Sequence, residues 1–188
     1  MKSICVFCGS SKGTSPKYVE LARSVGKYLA EQKIKLVYGA GNIGLMGEAA
    51  EAALKAGGEV LGVIPQFLKH KEVYHTGLTE LVITTTMHER KWIMDERSDG
   101  VIVLPGGFGT LDEFFEILTW KQLGLLSKPI GILNVEGFYD HLLAHANHMV
   151  REGFVRESNL GLYCVADNLT DLILLMDAPS NQTEEKWL

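Results

Sequence analysis

Short apolar runs with a β-branched bias recur along the chain at residues 3–8, 35–38, 60–64, 81–84, 100–104, 129–133 and, more weakly, 162–165. Most are apolar throughout instead of alternating, so the strands they predict are buried on both faces. Between them, apolar residues fall at spacings of three and four, the pattern of helices with one buried stripe. Ser15-Pro16 supplies a cap and then proline at the first helical position, and Tyr18, Leu21, Ala22, Val25 and Leu29 carry the stripe to about Gln32. A second helix runs over 44–56 and stops at Gly57-Gly58. This alternation predicts a doubly wound, Rossmann-like α/β fold: a mostly parallel sheet of about seven strands, right-handed crossovers, and helices on both faces. Ligands of such folds lie beyond the C-terminal strand ends, where strand order reverses.

Only residues 66–80 break the rhythm, as a polar stretch carrying Lys69, His70, Lys71, Glu72 and His75. It reads as a plain crossover, with a lid over the site as the alternative. Residues 179–188 lack periodicity and are expected to form a flexible tail, leaving 1–178 as a single domain. At 188 residues the chain is long enough for a core without disulfides or metals. A net charge of −5 argues against nucleic acid as a partner. Cys5 and Cys8 fall on opposite faces of one strand and, with Cys164, are expected to be reduced thiols. No apolar span approaches a membrane-crossing length and the N-terminus shows no leader pattern, so a cytoplasmic location is expected.

Three glycine-bearing turns follow strands: residues 8–13 (CGSSKG), 39–44 (GAGNIG) and 105–109 (PGGFG). In a parallel sheet all three open on one edge, forming a crevice rich in N–H groups that suits a nucleotide or sugar phosphate. Gly9 and Ser10, Gly41 and Gly44, and Gly106, Gly107, Gly109 and Thr110 are the candidate phosphate and substrate contacts. The GAGNIG turn also fits a dinucleotide fingerprint. However, it follows the second strand, and the next strand ends V-I-P-Q without the acid that would hold a ribose hydroxyl. No Gly-Lys-Ser or Gly-Lys-Thr follows any turn, which disfavours an NTP-driven machine.

Two stretches pair a capping-box spacing with chemistry. Thr86 and Glu89 have that spacing, but Arg90 and Lys91 follow in the first helical turn, where the macrodipole disfavours cations, so an external anion is expected beside them. The bland alternative is a surface pair of Lys91 with Asp95. Thr110 and Glu113 have the same spacing at a helix expected from Leu111. Spacing alone leaves open whether Glu113 finishes a helix end or, at the lip of the crevice, meets a substrate beside Arg90; Asp112 and Glu116 are its rivals. Met87, next to Arg90, is a candidate wall for a base, and His88, Glu89 and Arg97 are secondary candidates. His141, His145 and His148 share a helical face, but no carboxylate or cysteine cluster joins them, so no metal is expected. Met46, Met94, Trp92 and Trp120 are expected in packing or subunit contact.

Together, P-G-G-F-G-T-L-D-E over 105–113, the M-x-x-R-K element at Met87, Arg90 and Lys91, and the CGSS turn resemble the LONELY GUY family of cytokinin riboside 5′-monophosphate phosphoribohydrolases, labelled in older usage as possible lysine decarboxylases. The resemblance spans nearly the whole chain. It implies hydrolysis of the N-glycosidic bond of a nucleoside 5′-monophosphate to free base and ribose 5-phosphate, with Arg90 and Glu113 as the catalytic pair. It also implies no cofactor and a homodimer with the site near the subunit interface. Ala40 departs from the glycine triplet of many relatives. Lysine decarboxylation has little support, because neither Lys91 nor Lys121 has a clear setting for a Schiff base with pyridoxal phosphate. A non-catalytic nucleotide-binding or carrier protein of the same fold is the alternative.

Overall fold

A computed structural model of the chain describes residues 1–69 and 74–178. His70, Lys71 and Glu72, and the expected tail over 179–188, lie outside the described residues.

Seven strands form one sheet: β1 (Ser3–Phe7), β2 (Lys35–Tyr38), β3 (Val60–Pro65), β4 (Glu80–Thr84), β5 (Gly100–Val103), β6 (Ile130–Leu133) and β7 (Cys164–Ala166). Their order is β4-β3-β2-β1-β5-β6-β7, and every neighbouring pair is parallel. The chain steps outward from β1 in one direction and from β5 in the other, so the order reverses between β1 and β5. That reversal leaves a crevice at the C-terminal ends of these two strands.

The helices are α1 (Pro16–Glu31), α2 (Gly44–Lys55), the short α3 (Gln66–Lys69), α4 (Met87–Glu96), α5 (Phe108–Gln122), α6 (Asp140–Arg151) and α7 (Leu169–Asp177). Ser15 caps α1 with its side chain and Pro16 follows it. Two cores result. Ile4, Val6, Cys8, Leu36 and Ile102 pack with Leu21, Val25 and Leu29 of α1, Ala49 of α2 and Leu172 of α7. On the other face Cys5, Phe7, Val63, Val101 and Ile130 pack with Met94 of α4 and with Phe114 and Ile117 of α5. Cys5 and Cys8 thus occupy opposite cores, as the strand period requires, and both are free thiols.

Within the irregular stretch, α3 is followed after the undescribed segment by Tyr74, which bridges Gly41, and by a buried His75. His141, His145 and His148 stand exposed on α6.

Candidate active site

Gly9 joins the three turns. Its N–H donates to the Pro105 carbonyl (3.1 Å), and its own carbonyl accepts from the N–H groups of Leu45 (3.0 Å) and Met46 (3.3 Å). Gly44 has φ +65° and lies so close to Ser10 that a Cβ would be 2.2 Å from its carbonyl carbon. The first N–H groups of α2 are therefore already engaged by Gly9, which reduces what the Gly41–Gly44 turn can offer an anion. At α5 the situation is the reverse. Its N-cap is Gly107, with no side chain to accept from the first turn, and Gly107, Phe108 and Gly109 are exposed. The uncapped amides and the positive end of the helix dipole remain for a ligand.

Helix α5 starts at Phe108, three residues before its apolar periodicity becomes visible. Thr110 consequently lies inside the helix and is buried, its hydroxyl tucked under Gly106, where a Cβ would fall 2.1 Å from Oγ1. A capping box between Thr110 and Glu113 is ruled out, because the residue that would have to be the cap is already helical. Glu113 is also not at the lip; it is buried at 9 % exposure and faces Arg90, with Oε1 3.2 Å from Nη2.

Arg90 is equally buried, at 8 %. Its Nε donates to the Val63 carbonyl in the C-terminal half of β3 (3.2 Å), and Nη1 lies 3.8 Å from the Met87 sulfur. The turn after β2 presses on it, since a Cβ on Gly39 would sit 2.0 Å from Nη2. Met46 lies against this turn as well, its sulfur 3.3 Å from that same Cβ position. Burial pushes the Glu113 carboxyl up to about 7, against the downward pull of Arg90. Desolvation wins because the pair is shut away from water, and the neighbouring acids Asp112 and Glu116 add to it. The result is a carboxyl able to hold or release a proton near neutrality, beside a permanent cation.

Lys91 turns to the next helix. Its Nζ meets Asp112 at 3.1 Å and also contacts Glu116, whereas Asp95, the expected partner, is taken by Lys128 at 2.7 Å. Burial works against the Lys91 charge, but Glu116 and Asp112 outweigh it and raise its pKa. Lys91 thus ties α4 to α5 and is less available to a substrate than Arg90. At the first α4 turn, Thr86 and Glu89 do form the expected capping arrangement: Thr86 accepts from the Glu89 N–H at 3.1 Å, and Glu89 accepts from the Thr85 N–H at 2.7 Å. Arg97 forms a two-pronged pair with Glu80, and His88 contacts Glu116 and the edge of Trp120. Met94 is core and Trp92 is half exposed.

Beside Gly9, Ser10, Gly106 and Gly107 opens a cavity of about 300 Å³ that is also lined by Lys12, Tyr18 and Phe138. Tyr18 and Phe138 meet edge to face at 5.7 Å, forming an aromatic wall. Neither aromatic was legible as a site residue. Tyr18 looks like part of the α1 stripe, and Phe138 is brought in from a 3-10 turn over a hundred residues away in sequence.

A family model described as "Possible lysine decarboxylase" matches residues 46–176. The cytokinin riboside 5′-monophosphate phosphoribohydrolase of Rhodococcoides fascians is 44% identical over 179 residues, covering 95% of this chain and 90% of that protein. LOG5 of Arabidopsis thaliana, of the same name, is 42% identical over 177 residues, covering 94% and 78%. LOG of Oryza sativa subsp. japonica is 44% identical over 176 residues, covering 94% and 73%. Among solved structures, the molybdenum cofactor binding protein from Rippkaea orientalis superposes with a TM-score of 0.71 at 23% identity, covering 95% of this chain and 97% of that one. The Moco carrier protein of Chlamydomonas reinhardtii superposes with a TM-score of 0.68 at 22% identity, covering 92% and 93%. At such identities these two speak for the fold.

Proposed function

The chain belongs to the LOG family of cytokinin riboside 5′-monophosphate phosphoribohydrolases, and we propose that it hydrolyses the N-glycosidic bond of a nucleoside 5′-monophosphate to free base and ribose 5-phosphate. The observation that carries this reading is the buried Arg90–Glu113 pair at 3.2 Å, held between the C-terminal half of β3 and the uncapped start of α5. A carboxylate is unhelpful to a protein that only holds a phosphate, but it suits a reaction that develops positive charge on a sugar.

In this reading the substrate phosphate takes the amides at Gly106, Gly107 and Gly109 with the Thr110 hydroxyl, Gly9 and Ser10 line the same crevice, Met87 beside Arg90 walls the base, and Gly41, Gly44 and Lys91 complete the substrate contacts. Cleavage of the C1′–N bond leaves positive charge on the ribose ring and sends the electron pair to the base. Ionised Glu113 offsets the ring charge and takes a proton from water, whose oxygen bonds to C1′. Arg90 stabilises the departing base through hydrogen bonds; the base takes its proton from solvent and Glu113 returns to solvent the one it took from water, so the site ends as it began.

The lysines argue against decarboxylation through a Schiff base. Lys91 is engaged by two carboxylates, and Lys121 donates to the Lys128 carbonyl at the far end of α5, roughly 20 Å along the helix from the phosphate loop. We further take the enzyme to be a cytoplasmic homodimer. Three free thiols support the compartment, and the half-exposed Trp92 and part-exposed Phe115 on the two site helices support a subunit contact. Among the described residues no helix is long and apolar enough to cross a membrane.

Incubation with AMP and with N6-isopentenyl AMP, followed by assay of free base and ribose 5-phosphate, tests the proposal. Both products should appear in equal amounts. Binding without products would favour the carrier alternative.

A further inference from the structure

The turn that presses on Arg90 is itself under strain. Ala40 has φ +62° and is fully buried, a backbone conformation that costs a residue with a Cβ of order 1 kcal/mol and persists only where neighbours impose it. The neighbours come from the stretch just before β4. The His75 N–H donates to the Ala40 carbonyl at 2.9 Å, and Tyr74 bridges Gly41 in antiparallel fashion. His75 is in turn fixed through its ring, which is 6 % exposed. Nδ1 accepts from the Gly77 N–H at 3.1 Å, so the ring proton is on Nε2, which donates to Glu51 of α2 at 2.9 Å. Glu51 is held below the usual carboxylate range by Lys55 and by His75 itself. One residue thus links the crossover segment, the glycine turn and the helix that the turn begins: its backbone N–H holds the turn, and its ring fixes that backbone to Gly77 and to Glu51 of α2.

We infer that His75 is a positioning residue for Arg90: by holding the turn over 39–41 against the guanidinium, it keeps Arg90 on Glu113. The inference rests on the reading of Arg90 as catalytic. Among the described residues the His75 hydrogen bonds run to Ala40, Gly77 and Glu51 and none to the phosphate loop or Glu113, so its loss acts on the chemical step far more than on substrate capture. Displacement of a catalytic group by about 1 Å can cost up to ~100-fold in rate.

The test uses the full chain with AMP as substrate. His75→Leu fills the space but removes both ring contacts, and His75→Gln retains an N–H directed at Glu51. His75→Leu should lower kcat by about 10- to 100-fold with KM within about twofold, and His75→Gln should recover to within about threefold of wild type. In an Arg90→Lys background the His75→Leu change should cost almost nothing more, because the group it positions is already gone. Melting curves and circular dichroism restrict the comparison to folded enzyme; should His75→Leu not fold, Glu51→Ala, which removes the acceptor of the His75 Nε2–H, carries the same cycle. Equal and additive losses in both Arg90 backgrounds, or a lowered Tm with kcat unchanged, overturn the inference. An Arg90→Lys enzyme with normal kcat sinks the underlying reading instead, whereas an impaired Arg90→Lys beside an unimpaired His75→Leu refutes the positioning role alone.

Discussion

Helices α4 and α5 carry the same four-residue spacing at their starts, Thr86-x-x-Glu89 and Thr110-x-x-Glu113, and use it in opposite ways. In α4 the threonine is the N-cap, and the glutamate turns back to the Thr85 N–H, so both residues serve the helix end. In α5 the cap is Gly107, three residues earlier; the threonine is buried inside the first turn and the glutamate faces an arginine. The glycines make the difference. They let the helix begin earlier, leave its amides uncapped and shift Glu113 from the rim to the interior. A residue that would have satisfied α5 locally is thereby turned onto Arg90, and the amides it would have covered stay open. The capped helix, α4, serves as the rigid mount for Arg90.

The comparison breaks most decisively in activity. Glu113→Gln should lower kcat by about 10²–10⁴ while AMP still binds, whereas Glu89→Gln should stay within about twofold per folded molecule. Comparable losses in both would mean that the two glutamates do the same job. Stability should show the opposite sign. Glu113 is pushed up from 4.5 to about 7, so the folded protein holds this proton more tightly than the unfolded chain, and the folded state loses stability as pH rises between those values. Glu113→Gln should therefore be more stable than wild type by up to roughly 3 kcal/mol at pH 8, with the gain fading toward pH 5, as read by denaturant titration at the two pH values. A variant less stable than wild type at pH 8 would contradict the burial argument.

Next in size is the phosphate loop. Gly106→Ala places a methyl against the Thr110 hydroxyl and within 2.9 Å of the Gly9 nitrogen, so KM for AMP should rise by about tenfold or more. An unchanged KM would move the phosphate elsewhere. Smallest is the cap: Thr86→Ala should cost about 1 kcal/mol in unfolding free energy and leave kcat/KM of the folded enzyme within about twofold.

Much of this architecture was legible along the chain, for physical reasons. The buried inner strands β3, β5 and β6 are apolar throughout and visible as runs, and even the part-exposed edge strands β4 and β7 fall within a residue or two of their expected places. The opposite faces of Cys5 and Cys8 follow from the strand period, and the shared edge of the three turns follows from parallel connectivity. Arg90 was legible as a cation where the helix dipole disfavours one, whereas the spacing around Glu113 left its role open and only the resemblance paired it with Arg90. The rest depends on contacts between distant segments. The start of α5 was hidden because glycines carry no periodicity. Lys91 finds Asp112 and Glu116 across 21 and 25 residues, displacing the local partner Asp95. His75 sat in a polar stretch that looked solvated and is buried only because Glu51 and the glycine turn surround it.

The claim at the centre of this account is that ionised Glu113, beside Arg90, assists the glycosidic cleavage. Its most direct test is the pH profile of kcat/KM on AMP, which reports the essential groups of the free enzyme. The wild-type profile should fall about tenfold per pH unit below an inflection near 7, and the residual activity of Glu113→Gln should lack that inflection. A wild-type profile flat from pH 5 to 8, or the same inflection surviving in Glu113→Gln, would contradict it.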